Sequence, residues 1–325
     1  MYQGPVVAIG GGTGLSTLLR GLKLYAADIT AVVTVTDNGG SSGRLREELG
    51  ILPPGDIRDC LVALAESEPL MADLWQYRFP SGQAQGEGVG GHSFGNLFLA
   101  ALTGFLGDFE KAIAAASQVL KVRGRVLPCT LEAAVLAAEL ADGRVVRGET
   151  AIPAARGRVR RVWLEPDVAA NPQVIATLGK AAVVVIGPGS LYTSIMPNLI
   201  AKGLAPALAD TPGRVVFVTN IMTQPGETDG YTAADHLRAL VEVLGPGVVD
   251  TVIVNTGIPP AFVLARYRSE GAELVAADLA SFRTWPVQVI HGDYLQPAAD
   301  DYRTYARHDP SRLARAVIRA ARGRG

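Results

Sequence analysis

The feature that most constrains the fold is a set of six apolar runs, rich in β-branched residues and continuous rather than alternating with polar ones. The runs are Val6–Ile9, Ile29–Thr36, Ala182–Ile186, Val215–Thr219, Thr251–Val254 and Val287–Ile290. This pattern is typical of strands buried on both faces of a parallel sheet. Helical patterns lie between the runs, as at Ser16–Leu24, Ala233–Leu244 and Pro260–Glu270. The alternation predicts an α/β fold with a doubly wound, mostly parallel, Rossmann-like sheet, whose ligands bind at the carboxyl ends of the strands.

The middle of the chain breaks this alternation. Helical patterns follow one another at Asp56–Glu66, Leu70–Tyr77, Ser93–Leu106 and Phe109–Leu120. A glycine- and glutamine-rich stretch at Ser81–Gly91 predicts a mobile loop, and residues 125–166 read as short strands with glycine turns. We therefore predict one α/β domain over residues 1–325, with a helical and small β insertion over residues 56–166.

Composition excludes several classes of protein. Hydrophobic residues make up 48% of the 325 residues and the formal net charge is −1, which gives no electrostatic case for a nucleic-acid partner. The longest apolar runs, such as Leu97–Leu102, are too short to span a bilayer. The two cysteines, Cys60 and Cys129, suit a reducing compartment better than a disulfide framework. We expect a cytoplasmic protein without a membrane span.

Two glycine-rich loops follow predicted strands and precede predicted helices, which is the geometry of a phosphate cradle. The candidate ligand contacts in them are Gly11, Gly12, Thr13, Gly14, Gly187, Pro188, Gly189, Ser190 and Thr193. The first loop matches neither the dinucleotide fingerprint nor the P-loop, since Leu15 and Thr17 stand where a glycine is needed and no lysine precedes Lys23. Tight packing is the alternative role for such a turn.

The loop after the second strand carries an acid at the position where Rossmann proteins hold a ribose hydroxyl. The candidate contacts here are Asp37, Asn38, Gly39, Ser41, Ser42 and Arg44, which could bind a phosphate or a hydrated cation. Asp37 is the candidate Mg²⁺ ligand. A turn with an Asx cap is the alternative.

Three further groups of polar residues complete the candidate site. Asp56 fits a helix N-cap, while Arg58 in the same first turn is disfavoured by the helix dipole unless an anion is bound. His92 and Asn96 precede an apolar helix and could share one of its faces, but without further ligands at suitable spacing they do not predict zinc. Asn220, Thr223 and Gln224 end another strand and offer donors and acceptors to a base or sugar.

Taken together, six motifs identify a family resemblance. They are GGGTG at 10–14, GGSSGR at 39–44, PPGDIR at 53–58, GHSFGN at 91–96, GPGSLYTS at 187–194 and MTQPGET at 222–228. With them, the chain resembles the YvcK-type gluconeogenesis factor family, which is related to the 2-phospho-L-lactate transferase CofD. The resemblance covers nearly the whole chain.

The resemblance implies a cytoplasmic bacterial protein that binds UDP-sugars such as UDP-N-acetylglucosamine, with no cofactor required for binding. It further implies a role in cell shape and peptidoglycan synthesis during growth on gluconeogenic carbon sources, a homo-oligomer and a partner in cell-wall synthesis. It adds Tyr267 and Arg307 as candidate ligand contacts. The family typically has a second aspartate where this chain has Asn38, and losing that carboxylate weakens a divalent-metal site.

Three functions remain open on the sequence. The first is a non-catalytic, regulatory sugar-nucleotide binder, favoured because no nucleophile and base are paired in the motifs. The second is a CofD-like, Mg²⁺-dependent 2-phospho-L-lactate transferase, whose chemistry needs mainly positioning and charge neutralisation. The third, a nicotinamide-binding oxidoreductase, lacks the glycine spacing.

Overall fold

The computed structural model describes residues 1–81, 88–297 and 305–323. Its main sheet has seven strands, all parallel, in the order β10-β9-β8-β7-β1-β2-β3. The strands are β1 (Val6–Gly10), β2 (Ile29–Val33), β3 (Arg125–Pro128), β7 (Val183–Ile186), β8 (Arg214–Val218), β9 (Thr251–Asn255) and β10 (Gln288–Gly292). The predicted doubly wound parallel sheet is confirmed.

A second sheet is small and antiparallel, in the order β5-β4-β6. It consists of β4 (Val135–Leu140), β5 (Val145–Arg147) and β6 (Val159–Glu165), within the segment predicted to hold short strands. Strand β3 behaves differently from that prediction, because it pairs with β2 and forms one edge of the main sheet. Residues 125–128 therefore belong to the main sheet rather than to a segment packed on it.

Helices flank the main sheet on both faces and fill the segment between β2 and β3. They are α1 (Gly12–Tyr25), α2 (Gly40–Leu49), α3 (Gly55–Leu64), α4 (Pro69–Gln76), α5 (Phe94–Leu106), α6 (Phe109–Val119), α7 (Ala151–Ala154), α8 (Pro172–Leu178), α9 (Met196–Leu199), α10 (Leu204–Ala209), α11 (Ala233–Leu244), α12 (Ala261–Ser269) and α13 (Pro310–Arg322). A π-helical turn spans Leu191–Ile195 and a 3₁₀ turn spans Leu279–Thr284.

The core follows from the strand composition. All residues of β1, β2, β7 and β9 are buried, as expected for central strands covered by helices on both faces. Cys60 and Cys129 are buried free thiols. In the described part of the chain, no helix combines the length and the apolar character that crossing a bilayer requires. Most of the predicted loop at Ser81–Gly91, residues 82–87, lies outside the described residues.

The chain order places the switch point of the sheet between β1 and β7. From β1 the chain first builds outward through β2 and β3, and it then returns to the other side of β1 with β7. In open α/β sheets this reversal leaves a crevice beyond the carboxyl ends of the two strands. The two glycine-rich loops begin there.

Candidate functional site

A cleft of about 490 Å³ opens at this switch point. Its described lining comprises Gly11, Gly12, Thr13, Gly14, Thr17, Pro188, Gly189, Ser190, Ser194, Asn220, Met222, Thr223, Gln224, Tyr267, Tyr305, Ala306, Arg307 and His308. The volume falls in the range of about 300–1,000 Å³ that is usual for small-molecule sites. The structure thus brings together both glycine loops, the polar residues after β8 and the two residues that the family resemblance added.

The first glycine loop is largely the first turn of α1. The helix begins at Gly12, earlier than the predicted Ser16, and Gly12 has a φ of +60°, which favours glycine. A Cβ on Gly14 would lie 2.3 Å from the Pro188 carbonyl oxygen, so this glycine lets α1 approach the loop after β7. Gly14 therefore has a packing role, whereas the start of α1 faces the cleft.

Asp56 lies beside the start of α1 and contacts it directly. The Gly12 N–H donates a 2.7 Å hydrogen bond to Asp56 Oδ2. The expectation that Asp56 caps its own helix is wrong, because Pro54 is the N-cap of α3 and no side chain caps that helix. Burial, followed by the charge of Asp37, raises the pKa of Asp56 to about 7. The Asp56 carboxyl therefore titrates near neutral pH at the N-terminus of α1.

The second glycine loop is held by side chains from the loop after β8. Asn220 Oδ1 accepts a hydrogen bond of 3.4 Å from the Gly189 N–H, and Gln224 Nε2 donates to Ser190 Oγ. Ser190 precedes a π-helical turn but makes no side-chain cap. Thr193 points away from the cleft, where its hydroxyl donates to Glu227 Oε1 at 3.0 Å. Gly187 is likewise absent from the described lining of the cleft.

Aromatic and cationic side chains form the opposite wall. Tyr267 on α12 packs edge-on against Tyr305, with ring centroids 5.9 Å apart, and Arg266 lies 4.0 Å over the Tyr305 ring. Arg307 is exposed and lines the cleft. His308 is buried, and burial lowers its pKa to about 4, so its ring is neutral at pH 7. The wall therefore contains two tyrosine rings and an exposed arginine.

The loop after β2 lies outside this lining, and its polar groups bond within the protein. Asp37 Oδ1 accepts a 2.8 Å hydrogen bond from the Gly39 N–H, which is the Asx turn that the sequence left as the alternative. Asn38 Oδ1 accepts from the Thr150 N–H at 3.2 Å and thereby ties the loop to the segment after β5. Arg44 donates to the Gly90 carbonyl oxygen at 2.6 Å.

A buried polar network joins α2, α3 and α5. Ser41 Oγ lies 2.8 Å from His92 Nδ1 and accepts from Asn96 Nδ2 at 3.0 Å. Arg58 Nη1 donates to Ser93 Oγ at 2.6 Å and to Asn96 Oδ1 at 3.0 Å. These side chains satisfy one another, so the structure explains Arg58 without a bound anion. Ser42 also bonds within the protein, because its Oγ accepts a hydrogen bond from the Gly55 N–H.

Two acids outside the described lining of the cleft, Glu227 and Glu149, were missed by sequence reasoning. Burial raises the pKa of Glu227 to about 7, and burial together with Asp56 and Asp37 raises the pKa of Glu149 well above its usual range. Glu227 stands in the motif at 222–228, which could have been a signal, whereas nothing in the sequence around Glu149 marks it. Electrostatic repulsion among the four acids Asp37, Asp56, Glu149 and Glu227 adds to burial and favours the protonated forms of Asp56 and Glu149.

The charge arrangement also bears on a metal ion. Among the described residues, no three histidine, cysteine or acidic side chains are grouped as a metal site. Asp37 and Asp56 each use one oxygen for a backbone N–H, leaving the other available. Mg²⁺ is commonly held by one or two carboxylates, substrate phosphates and water. The residues therefore fit Mg²⁺ as a companion of a phosphate ligand and not as an ion in an all-protein cage.

Other cleft residues were also missed: Thr17, Ser194, Met222, Tyr305, Ala306 and His308. Thr17 and Ser194 each lie about one helical turn beyond a predicted glycine contact, so the helical repeat could have indicated them. Tyr305 and His308 are close neighbours of Arg307 in sequence. Met222, an apolar residue, carries no chemical signal of its own.

Comparison with known proteins places the chain in a family. The family model described as "2-phospho-L-lactate transferase CofD" matches residues 6–295. The "Gluconeogenesis factor" of Bacillus subtilis is 47% identical over 320 residues, covering 98% of this chain and 98% of that protein. The protein of the same name from Halalkalibacterium halodurans is 47% identical over 319 residues, covering 98% and 97%.

A solved structure agrees over the whole fold. A crystal structure of a UPF0052 family member from Bacillus halodurans superposes with a TM-score of 0.92 at 45% identity, covering 98% of this chain and 100% of that one. This chain belongs to the CofD family, among the proteins named gluconeogenesis factors.

Proposed function

We propose that this protein binds a sugar nucleotide of the UDP-N-acetylglucosamine type in the cleft and acts as a regulatory binding protein. One observation carries the proposal: the two glycine loops, Tyr267 and Arg307 line the same cleft at the switch point of the sheet. The Gly12 and Gly189 N–H groups already donate to Asp56 and Asn220, so the diphosphate would meet the other N–H groups of the two loops, as anions do at helix starts. Arg307 adds a charge-assisted contact.

The remaining lining suits the base and the sugar. Tyr267 and Tyr305 offer ring faces for a pyrimidine or a sugar ring. Asn220 and Gln224 are amides, so each can both donate to and accept from hydroxyl or carbonyl groups. These side chains suit both a base and a sugar, and the cleft volume of about 490 Å³ accommodates a ligand of nucleotide size.

The hydroxyl groups of the cleft give no support to catalysis by a protein nucleophile. Ser190 Oγ is engaged by Gln224, and Thr17 Oγ1 donates to the Thr13 carbonyl oxygen at 2.8 Å. Among the described lining residues, no hydroxyl is hydrogen-bonded to a histidine, the arrangement that activates a nucleophile. His308 is neutral and buried in the wall.

The test is calorimetric titration with UDP-N-acetylglucosamine, NAD and GDP, each with and without Mg²⁺. We expect the UDP-sugar to bind without Mg²⁺ and NAD not to bind. If the UDP-sugar fails to bind while GDP binds only with Mg²⁺, the regulatory proposal is wrong. Binding of NAD alone would instead favour the oxidoreductase.

Two substitutions locate the ligand. Arg307→Ala and Tyr267→Ala should each weaken UDP-sugar binding by about 10- to 100-fold, the effect of removing a charge-assisted or stacking contact. Arg283→Ala, which removes an exposed arginine outside the described cleft, is the matched control and should leave the affinity unchanged. Equal affinities in all three variants would place the ligand elsewhere.

The cellular proposal rests on the family resemblance and, for growth on gluconeogenic carbon, on the name "gluconeogenesis factor" that the relatives carry. We propose that the protein works in the cytoplasm, as a homo-oligomer with a partner in cell-wall synthesis, to maintain cell shape during growth on gluconeogenic carbon. In a Bacillus subtilis strain lacking its own gluconeogenesis factor, this chain should restore growth and shape on such carbon sources. Arg307→Ala should not restore them if ligand binding is required.

The acidic residues beside α1 support a second candidate function, a CofD-like transfer of a phosphate-linked group. Asp37 and Asp56 would hold Mg²⁺, which supplies charge neutralisation for the phosphates when bound. The residues of the chain would position the nucleotide and the acceptor hydroxyl. Product formed from a nucleotide-linked phospholactate and a deazaflavin acceptor, with Mg²⁺, would establish this reaction. Asp37→Asn should then raise the Mg²⁺ concentration that the reaction needs and lower its rate.

A further inference from the structure

Asn198 is a fully buried polar residue that connects the two glycine-rich segments of the cleft. It lies on α9, and its Nδ2 atom donates hydrogen bonds to two backbone carbonyl oxygens. One is that of Gly10 at 3.1 Å and the other is that of Ser194 at 2.8 Å. Gly10 is the last residue of β1 and leads into the first glycine loop, whereas Ser194 follows the second loop and lines the cleft. One side-chain amide therefore joins both segments.

The bond to Gly10 acts on the start of the first loop. The Gly10 carbonyl oxygen also accepts a hydrogen bond from the Thr34 N–H at 3.0 Å, so it is held from two sides. The carbonyl group of Gly10 and the N–H group of Gly11 belong to one planar peptide unit. Fixing the oxygen therefore fixes the direction of the Gly11 N–H, and Gly11 lines the cleft.

The bond to Ser194 acts on the part of the second segment that touches the first loop. A Cβ on Gly11 would lie 3.4 Å from Ser194 Cβ, and a Cβ on Gly12 would lie 3.9 Å from Ser194 Oγ. Ser194 belongs to the π-helical turn, in which the Ser190 carbonyl oxygen accepts from the Ser194 and Ile195 N–H groups, both at 2.9 Å. Turns of this kind are frequent at functional sites.

The other half of the amide indicates why an asparagine stands here. Asn198 Oδ1 is buried and has no hydrogen-bond partner among the described residues. A buried acceptor without a partner costs free energy, which a leucine of similar shape would not incur. A leucine would lack the two N–H donors that reach Gly10 and Ser194. The asparagine is therefore explained by its donors rather than by the filling of space.

We propose that Asn198 is a positioning residue of the cleft, which sets the spacing of the two glycine loops for a ligand that carries a diphosphate. Asn198 is buried and absent from the described lining, so it acts through Gly10 and Ser194 and not by touching the ligand. Loops that are already ordered in the free protein bind more tightly, because less entropy is lost on binding. Only the identity of the ligand rests on the proposed sugar-nucleotide function.

Hydrogen exchange of the ligand-free protein tests the positioning role directly. Asn198→Leu keeps the approximate size of the side chain and removes both donors. Amide exchange in peptides that cover residues 10–17 and 187–195 should become about 10-fold faster, because local opening of both loops becomes easier.

Asn171→Leu is the matched control. Asn171 is also a buried amide, and its Nδ2 atom donates to Glu110 Oε1 at 2.7 Å and to the Pro128 carbonyl oxygen at 3.2 Å. None of these three residues is part of the described lining of the cleft. Asn171→Leu should lower the melting temperature, as Asn198→Leu does, but leave exchange in both loops unchanged.

The affinity for UDP-N-acetylglucosamine, measured by calorimetric titration, is the second readout. Asn198→Leu should bind about 10- to 100-fold more weakly than the wild type, and Asn171→Leu within about twofold of it. Asn198→Ser keeps one donor and should lie between the wild type and Asn198→Leu in both readouts. It also replaces Asn198→Leu if circular dichroism shows that the leucine variant does not fold.

Several results would overturn the proposal. Unchanged exchange in the two loops, or an equal increase in the Asn198 and Asn171 variants, would leave Asn198 with a merely structural role. Faster exchange with unchanged affinity would show that binding does not depend on the spacing of the loops. Failure of both Asn198 variants to fold would make the residue a requirement of the whole fold. A wild type that binds no UDP-sugar would refute the proposed function, whereas the exchange result would still decide whether Asn198 positions the loops.

Discussion

Replacing Asp56 with asparagine should stabilise the folded protein at high pH. Asp56 accepts a hydrogen bond from the Gly12 N–H, and an asparagine side-chain oxygen can accept the same bond. What the substitution removes is a buried negative charge next to Asp37. Burial, and then Asp37, raises the pKa of the Asp56 carboxyl from 3.8 to about 7.

The sign and size follow from proton linkage. A carboxyl with a raised pKa binds its proton more tightly in the folded chain than in the unfolded chain. The free energy of unfolding therefore falls as the pH rises from 3.8 to about 7 and stays reduced above that. At about 1.4 kcal/mol per pH unit the full effect is at most about 4 kcal/mol. We expect about 2–3 kcal/mol, because neighbouring acids such as Glu149 readjust their protonation.

Urea unfolding between pH 4 and pH 8 measures the effect. Asp56→Asn should be more stable than the wild type by about 2–3 kcal/mol at pH 8, and the difference should shrink toward zero near pH 4. Asp210→Asn makes the same change at an exposed position and should give no such pH-dependent gain. A difference that does not vary with pH, or a loss of stability at pH 8, would refute the argument.

Three further substitutions test a close backbone contact, a buried polar network and a helix cap, each measured by urea unfolding. Gly14→Ala should destabilise by about 1–3 kcal/mol, since its Cβ would lie 2.3 Å from the Pro188 carbonyl oxygen, whereas Gly179→Ala has room and should be nearly neutral. Arg58→Ala should lower the free energy of unfolding by about 2–4 kcal/mol, because it leaves the buried acceptors Ser93 Oγ and Asn96 Oδ1 unpaired. The affinity for the UDP-sugar should stay within about twofold of the wild type. Lost affinity with unchanged stability would instead make Arg58 a ligand contact. Thr232→Ala should cost about 1 kcal/mol by breaking the capping box of α11, and an unchanged unfolding free energy would contradict that role.

The strands were predictable because a strand buried on both faces is a continuous run of apolar, β-branched residues, and such a run is visible in the sequence. The runs at Val6–Ile9 and Thr251–Val254 each fall within one residue of the observed strand. β10 begins and ends slightly later than predicted, as expected for a half-exposed edge strand. Strand β3 was not recognised as part of the main sheet, because membership of a sheet depends on pairing with distant residues.

The candidate site was predicted in part. The glycine loops could be placed at the sheet edge, since the carboxyl ends of parallel strands share one edge. The role of Asp56 was predicted wrongly. A carboxylate near a helix start can cap its own helix or accept a hydrogen bond from another helix, and the packing of α3 against α1 decides between these two roles. The contact of Tyr267 and Arg307 with the same cleft was implied by the family resemblance, not by their sequence context.

The sequence by itself determined the parallel sheet, the glycine-rich turns and the edge at which they meet, because these depend on local chemistry and strand periodicity. Tertiary structure decided the partners of the charged and polar groups. The Arg58 guanidinium donates to side chains of α5 and its N-cap, and burial, followed by Asp56 and Asp37, raises the pKa of Glu149. It also decided that the apolar helix α5 leaves Phe105 in water. Burial and electrostatic coupling depend on which residues the fold brings together, and a linear pattern does not contain that information.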